Sequence, residues 1–156
     1  MKVLISGING FVGKILAKEL KGRGHVVSGL DITGDSDSVL AADLRDYSAV
    51  KSVVDKVVPD VIVHLAAVSR VDFENVNDIY DVNVGGTLNI LKASTALPNR
   101  IPFLLVSSSQ VYGNPILGKG QLINEEFKIS PVNHYGASKA AAENIFSPPI
   151  AIKDMS

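Results

Sequence analysis

Lys2-Val3-Leu4-Ile5-Ser6, running into Gly7-Ile8-Asn9-Gly10-Phe11-Val12-Gly13, is the stretch on which the reading of this chain turns. The first five residues are a short apolar run bounded by glycine, which predicts a buried strand. Phe11, Ile15, Leu16 and Leu20 then recur at helical spacing, so a helix is expected from Phe11 to Lys21, stopped by Gly22-Arg23-Gly24. A glycine-rich turn between a buried strand and a helix leaves the first N–H groups of the helix free for phosphate. The spacing here is G-x-x-G-x-x-G rather than G-x-G-x-x-G. In such a turn the first glycine permits the tight bend. The middle one lets a pyrophosphate approach the backbone, and the last lets helix pack on strand. An ordinary βα turn without a ligand also explains three glycines.

Outward from that turn, strands and helices alternate. His25 to Leu30 is a second apolar strand, ending at Asp31. Thr33 to Ser38 is a polar loop, and Val39 to Ala42 is a short third strand. Asp46 to Val58 has helical periodicity, with Asp46 as N-cap and Pro59 as stop. Val61 to Ala67 is a strongly apolar strand, and Asn77 to Ala96 is a long helix interrupted at Gly85-Gly86. Phe103 to Ser107 is a further buried strand. A loop-rich stretch from Gly113 to Pro131 precedes an alanine-rich helix from His134 to Phe146. The strands are continuous apolar runs, as expected of a parallel sheet covered on both faces. The fold class is therefore α/β, a doubly wound parallel sheet in the order 3-2-1-4-5 with its crevice between strands 1 and 4.

Composition narrows the function. The chain has 156 residues, enough for one domain, with 46% apolar and 20% charged residues and a net charge of −1. That balance gives no electrostatic footprint for nucleic acid or for an anionic membrane surface. No apolar run approaches the ~20 residues of a membrane helix, and the N-terminus lacks the segments of a signal peptide. There is no cysteine, hence no disulfide, thiol nucleophile or thiolate metal site. His25, His64 and His134 show no metal-ligand spacing, so no metal is expected. These features suit a cytoplasmic protein.

Asp31 ends the second strand 18 residues after Gly13. A carboxylate there can accept hydrogen bonds from the adenosine ribose hydroxyls of a dinucleotide, although aspartate also forms turns for its own sake. The same charge repels a 2′-phosphate, and Ile32 and Thr33 supply no cation against it, so NAD is expected over NADP. Tyr135-Gly136-Ala137-Ser138-Lys139 is Y-x-x-x-K near the start of the last helix, and the i, i+4 spacing puts both side chains on one face. A free phenol has a pKa near ~10, and lowering it by about 3 units takes roughly 4 kcal/mol of preference for the phenolate. A lysine cation and a positively charged nicotinamide ring both favour that form. Such a pair can move the proton of a hydroxyl while hydride moves at its carbon. The motif alone is common on solvated helix faces; its position after a buried strand gives it weight. Ser107-Ser108-Ser109 stand at the carboxyl end of that strand, where a hydroxyl can stabilise charge on a reacting oxygen or merely terminate the strand.

Together these residues resemble the extended short-chain dehydrogenase/reductase family, in its nucleotide-sugar epimerase, dehydratase and reductase group. The resemblance covers residues 1–146 as one Rossmann domain. It rests on the loop from Gly7, Asp31, Asp43-Leu44, His64-Leu65-Ala66-Ala67, Asn83-Val84-Gly85-Gly86-Thr87, Ser107-Ser108-Ser109-Gln110-Val111-Tyr112-Gly113, and Tyr135 with Lys139. It implies Tyr135 as general acid/base, Lys139 as its electrostatic partner and holder of the nicotinamide ribose, and Ser108 as the catalytic hydroxyl. It implies a cofactor site of Gly7, Asn9, Gly10, Phe11, Val12, Gly13, Asp31, Leu65, Ala66 and Ala67, with Asp43 and Leu44 flanking the adenine. Asn83 supports the active-site hydrogen bonds, while His64 is read as a packed strand residue and His134 as facing solvent. The expected substrate is a nucleotide sugar and the expected assembly a homodimer, through the helices of Asn83 and Tyr135.

The chain also departs from the group. Dehydratases that it resembles carry an acidic base where Gln110 stands, so 4-epimerase or keto-sugar reductase ranks above dehydratase. Residues 147–156 read as a short tail after the last helix. The sixth strand and the C-terminal substrate domain are expected to be missing, as in a truncated form whose turnover is uncertain. A dinucleotide-binding module without turnover is the alternative of a different class. A sheet cut in this way also leaves an open edge that favours self-association.

Overall fold

The computed structural model describes residues 1–34, 36–69 and 75–146; the tail expected at 147–156 lies outside them. Strand β1 (Lys2–Ser6) leads through the glycine turn into helix α1 (Phe11–Gly22), then β2 (Val26–Asp31) and β3 (Val39–Ala41). Helix α2 (Tyr47–Val57) and β4 (Val61–His64) follow, then α3 (Val76–Tyr80), a π-helical turn (Asp81–Gly86) and α4 (Thr87–Thr95). Strand β5 (Phe103–Leu105), a 3₁₀ turn (Ser109–Tyr112) and α5 (His134–Asn144) complete the described chain. The sheet order is β3-β2-β1-β4-β5 with every pair parallel, as the alternation of elements predicts.

The alternation of side chains along the strands explains the two-sided core. In β1, Leu4 packs on one face with Leu30, Val50, Val54, Ile62 and Ile90, the side covered by α2 and α4. Val3 and Ile5 point to the other face, with Ile8, Ala17, Val27 and Val63, where α1 lies. Both faces of the central strands are thus apolar, which is why those strands read as unbroken hydrophobic runs. Asp46 caps α2 as expected, its carboxylate accepting the N–H groups of Ser48 and Ala49. The helix ends at Val58, which adopts φ +45° ahead of Pro59. The buried strand expected over Phe103 to Ser107 is instead a short one, β5, that stops at Leu105 and forms the edge of the sheet among the described residues, so Leu104 and Val106 are exposed.

Two other readings change. Gly85-Gly86 do not interrupt their helix: φ and ψ stay helical through Gly86 and Thr87, and the hydrogen-bond pattern widens into the π turn instead. The reason for glycine is packing. A Cβ on Gly86 would lie 2.8 Å from Cβ of Leu44, so its absence lets the segment after β3 sit directly on the helix. The strand expected over Val61 to Ala67 stops at His64, and Leu65 to Ala67 leave the ladder to border the crevice.

Candidate functional site

The carboxyl ends of the strands and the first turns of α1 and α5 surround a cavity of about 480 Å³, within the range of small-ligand pockets. Gly7, Gly10, Phe11, Val12 and Gly13 form one wall, with Asp31, Asp43 and Leu44 beside them. Leu65, Ala66 and Ala67 form the floor, and Tyr135 and Lys139 face them from α5. Asn9, Asn83 and Ser108 do not line it; Asn9 and Asn83 bond to residues that do, Asp31 and Val68, and Ser108 follows the lining residue Ser107.

The glycine turn separates what the chain requires from what a ligand would require. Gly7 has φ +74°, and a Cβ there would lie 2.7 Å from the Ala66 nitrogen. A Cβ on Gly13 would lie 2.4 Å from the Gly7 carbonyl oxygen and 2.6 Å from that of Ile8. The fold itself demands both. Gly10 meets only the Gly7 carbonyl, at 3.2 Å, and faces the cavity, so the space in front of it is left for something else. Helix α1 starts there with no side-chain cap and no acidic residue in its first turn. Its free N–H groups are therefore available to an anion.

Asp31 is held by two backbone amides. Its Oδ2 accepts the Asn9 N–H at 2.9 Å and its Oδ1 the Ile32 N–H at 2.9 Å. Each oxygen keeps acceptor capacity for a further donor such as a ribose hydroxyl. Asn9 also donates from Nδ2 to the Thr33 carbonyl, tying the glycine turn to the end of β2. Asp43 sits in the turn after β3, where the guanidinium and backbone N–H of Arg45 hold its carboxyl below the usual carboxylate range. This cradle fits a dinucleotide: an uncapped helix start for the pyrophosphate, clearance at Gly10, and a fixed carboxylate at the end of the second strand.

At the other end, Tyr135 and Lys139 stand one turn apart on α5 and border the same space. Lys139 is only 3% exposed. Burial pushes its ammonium below the ordinary lysine range, with Glu143 partly opposing the shift. The serine triplet divides. Ser107 lines the cavity, and its Oγ is buried without a partner among the described residues. Ser108 caps the 3₁₀ turn, its Oγ accepting the Gln110 N–H at 3.2 Å, which leaves the hydroxyl proton free to be donated. Gln110 is engaged elsewhere: its Oε1 accepts from Asn133 Nδ2 at 2.9 Å, and Asn133 Oδ1 caps α5 through the Gly136 N–H at 2.7 Å.

Behind the cavity runs a buried polar chain that the sequence does not reveal. Ser6 Oγ meets His64 Nδ1 at 2.5 Å, and His64 Nε2 meets Thr87 Oγ1 at 2.9 Å. Thr87 donates to the Asn83 carbonyl at 2.6 Å, so its oxygen accepts from His64 Nε2–H, and Nδ1 takes the Ser6 proton. His64 is thus a neutral ring with its pKa lowered to about 3, chiefly by burial and secondarily by the charge of Lys139. Asn83, 1% exposed, accepts the Val68 N–H at 2.7 Å and donates to the Val68 carbonyl and to Ser138 Oγ. It joins the segment after β4 to the helix that carries Tyr135. Arg45 and Ser107 are the other residues that sequence reasoning passed over; each adjoins a residue it chose.

A model described as the NAD dependent epimerase/dehydratase family matches residues 3–148. A GDP-6-deoxy-D-talose 4-dehydrogenase of Aggregatibacter actinomycetemcomitans is 35% identical over 93% of this chain and 47% of its own length. A probable dTDP-glucose 4,6-dehydratase of Sinorhizobium fredii is 31% identical over 92% of this chain and 47% of its own. The crystal structure of the Thermus thermophilus UDP-glucose 4-epimerase in complex with NAD superposes with a TM-score of 0.81 at 30% identity, over 92% of this chain and 49% of that one. The chain thus spans about half the length of the relatives it matches. Among the described residues no helix is long and apolar enough to cross a membrane, and no acidic or histidine cluster forms a metal site.

Proposed function

Because the chain belongs to the NAD dependent epimerase/dehydratase family, we propose that it binds NAD, in preference to NADP, and serves hydride transfer at a sugar carbon of a nucleotide sugar. The reading ranks 4-epimerase or keto-sugar reductase above dehydratase. The observation that carries it is the shared cavity: the glycine turn and Asp31 at one end, Tyr135 and Lys139 at the other. The nicotinamide ring, when bound, supplies or accepts the hydride.

The chain's own residues supply binding and proton movement. The first turn of α1 receives the pyrophosphate, and Asp31 accepts the ribose hydroxyls; its charge opposes a 2′-phosphate, and the Arg45 cation on the same cavity wall is already paired with Asp43. Tyr135 as phenolate takes the proton of the sugar hydroxyl while hydride leaves its carbon, and as phenol returns it when hydride comes back. Lys139 stabilises the phenolate form that accepts the proton, and a buried ammonium does so far better than one in water. Ser108 donates its free hydroxyl proton to the reacting oxygen. Gln110 has no proton-accepting carboxylate, and its amide already binds Asn133, which is why elimination of water ranks lower. A homodimer through α5 and the helix of Asn83 belongs to the same reading and is tested by sedimentation at micromolar concentration.

The test is a fluorescence titration with NADH followed by turnover of UDP- and GDP-sugars. Saturable binding, with Tyr135→Phe keeping NADH affinity and losing hydride transfer, is the expected result. No binding at millimolar NADH overturns the cofactor reading, and a 4-keto-6-deoxy product seen by mass spectrometry overturns the ranking. The half-length match favours a second reading, a dinucleotide-binding module without turnover, which predicts NADH binding and no product from any sugar nucleotide.

A further inference from the structure

The cavity runs across the ends of the strands, and the sheet order sets what stands at each point along it. Asp31 ends β2, the glycine turn follows β1, Leu65 to Ala67 follow β4, and Ser107 follows β5. From β2 to β5 is three strand spacings, roughly 14 Å. A dinucleotide with one ribose at Asp31 and its pyrophosphate at α1 therefore directs its nicotinamide half toward β4 and β5, where Tyr135 and Lys139 also border the cavity. Ser107 Oγ is the one buried side-chain polar atom among the described residues that has no hydrogen-bond partner. Buried hydroxyls are nearly always bonded, so this exception points to a partner that the chain does not supply. The backbone just before it is fixed, since the Val106 N–H donates to the His64 carbonyl at 3.1 Å. The side chain is not fixed: a serine has three staggered positions about Cα–Cβ, and leaving the present one breaks no hydrogen bond. Ser108, by contrast, is tied to the Gln110 N–H in the turn after β5.

We propose that the Ser107 hydroxyl turns into the cavity when the cofactor binds and hydrogen-bonds the carboxamide of the nicotinamide ring. The inference rests on the dinucleotide reading above, and it gives Ser107 a task separate from that of Ser108. The carboxamide is the only hydrogen-bonding group on that ring. It carries an N–H donor and a carbonyl acceptor, and a hydroxyl can answer either. A bond at this point fixes the rotation of the ring about its link to the ribose, and so which ring face lies toward a substrate. It also gives the orphaned hydroxyl its partner, so the bond unmade in the ligand-free chain contributes to affinity.

The test is calorimetric titration of the full chain with NADH and with ADP-ribose, which keeps the adenosine, the pyrophosphate and the second ribose but has no nicotinamide ring. Ser107→Ala is expected to weaken NADH about fivefold, the effect of one neutral hydrogen bond, and to leave ADP-ribose unchanged. Without ligand, its urea midpoint should equal or exceed that of the wild type, because alanine removes a buried hydroxyl that has no partner. A serine with a merely structural role gives a different pattern: a lower midpoint, and the same loss for both ligands. Either of those results overturns the inference, as does wild-type NADH affinity in Ser107→Ala. Failure of the wild-type chain to bind either ligand instead sinks the dinucleotide reading on which the inference stands.

Discussion

His64 makes the chain acid-labile in a way that can be calculated. Its ring is buried, neutral and bonded on both nitrogens, and its pKa falls from 6.5 to about 3. Above pH 6.5 the ring is neutral in both folded and unfolded chains and the shift has no effect. As pH falls below 6.5, the unfolded chain takes up a proton that the folded one refuses, so stability is lost at up to about 1.4 kcal/mol per pH unit until the folded pKa is reached. Between pH 7 and pH 5 the loss is about 2 kcal/mol, and by pH 4 about 3 kcal/mol. Against a total of roughly 5–15 kcal/mol, that is a large fraction from one side chain.

Urea unfolding followed by circular dichroism at pH 7, 6, 5 and 4 measures it. At a typical slope of about 2 kcal/mol per molar urea, the midpoint should fall by about 1 M between pH 7 and pH 5 from this residue alone. His64→Gln keeps a donor toward Thr87 and does not titrate, so its stability should decline with pH less steeply by the same amount, whatever its absolute level. The carbon resonances of the His64 imidazole provide an independent reading and should stay in the neutral form down to pH 4. Parallel pH profiles for the two proteins, or a ring that titrates above pH 5, would refute the reasoning.

Three other outcomes follow from the same structure. Gly10→Ala should cost under about 1 kcal/mol in urea stability and lose most NADH affinity, whereas Gly13→Ala, driven into two carbonyl oxygens, should lose several kcal/mol; equal stability for the two variants would contradict the packing. Lys139→Met removes a buried charge, so the urea midpoint should hold or rise while the NADH dissociation constant rises about tenfold, or about 1.4 kcal/mol; a lower midpoint with unchanged affinity would reverse that assignment. Val58→Gly relieves a branched residue at φ +45° and should raise thermal stability by about 0.5–1 kcal/mol, checked by calorimetry.

The parts of the fold legible in the sequence are those fixed by neighbours along the chain. The β1 run, the glycine turn and the extent of α1 each follow from local sterics and periodicity, but the buried face of α1 does not: it is Gly13 and Ala17 with Leu16 and Leu20 beside them, while Phe11 and Ile15 of the expected stripe are exposed. The Asp46 cap is equally local. The end of β4 is not legible: Leu65-Ala66-Ala67 continue the apolar run, and whether such residues pair in a ladder or border a crevice depends on what stands beside them. Gly85-Gly86 mislead for the same reason, since a glycine that makes room for Leu44 has the same letter as one that breaks a helix. At the site, the residues on the cavity wall are largely those the motifs indicate. The hydrogen bonds of Asn83, and the occupation of Asp43 by Arg45, arise from contacts between separate elements, on which motif spacing is silent.

The position of Tyr135 is decided by those contacts. Helix α5 is rich in alanine and presents little apolar surface, so hydrophobic burial alone gives it a weak preference for any one register. Small residues do allow close approach: a Cβ on Gly136 would lie 2.4 Å from the Gln110 carbonyl oxygen. Close approach without specific bonds would let the helix slide. Three polar ties prevent it, from Asn133 to Gln110, between Tyr80 and His134 at 3.2 Å, and from Asn83 to Ser138, which itself donates to the Tyr135 carbonyl at 2.8 Å. The widened π turn is the segment that carries Asn83 to this point, consistent with the tendency of π turns to occur where a helix must aim a side chain off its regular face. Gln110 then has a role that needs an amide rather than a carboxylate base. It links the end of β5 to the cap of α5, so the side chain that ranks elimination lower is also the one that helps fix where the Tyr135 proton sits.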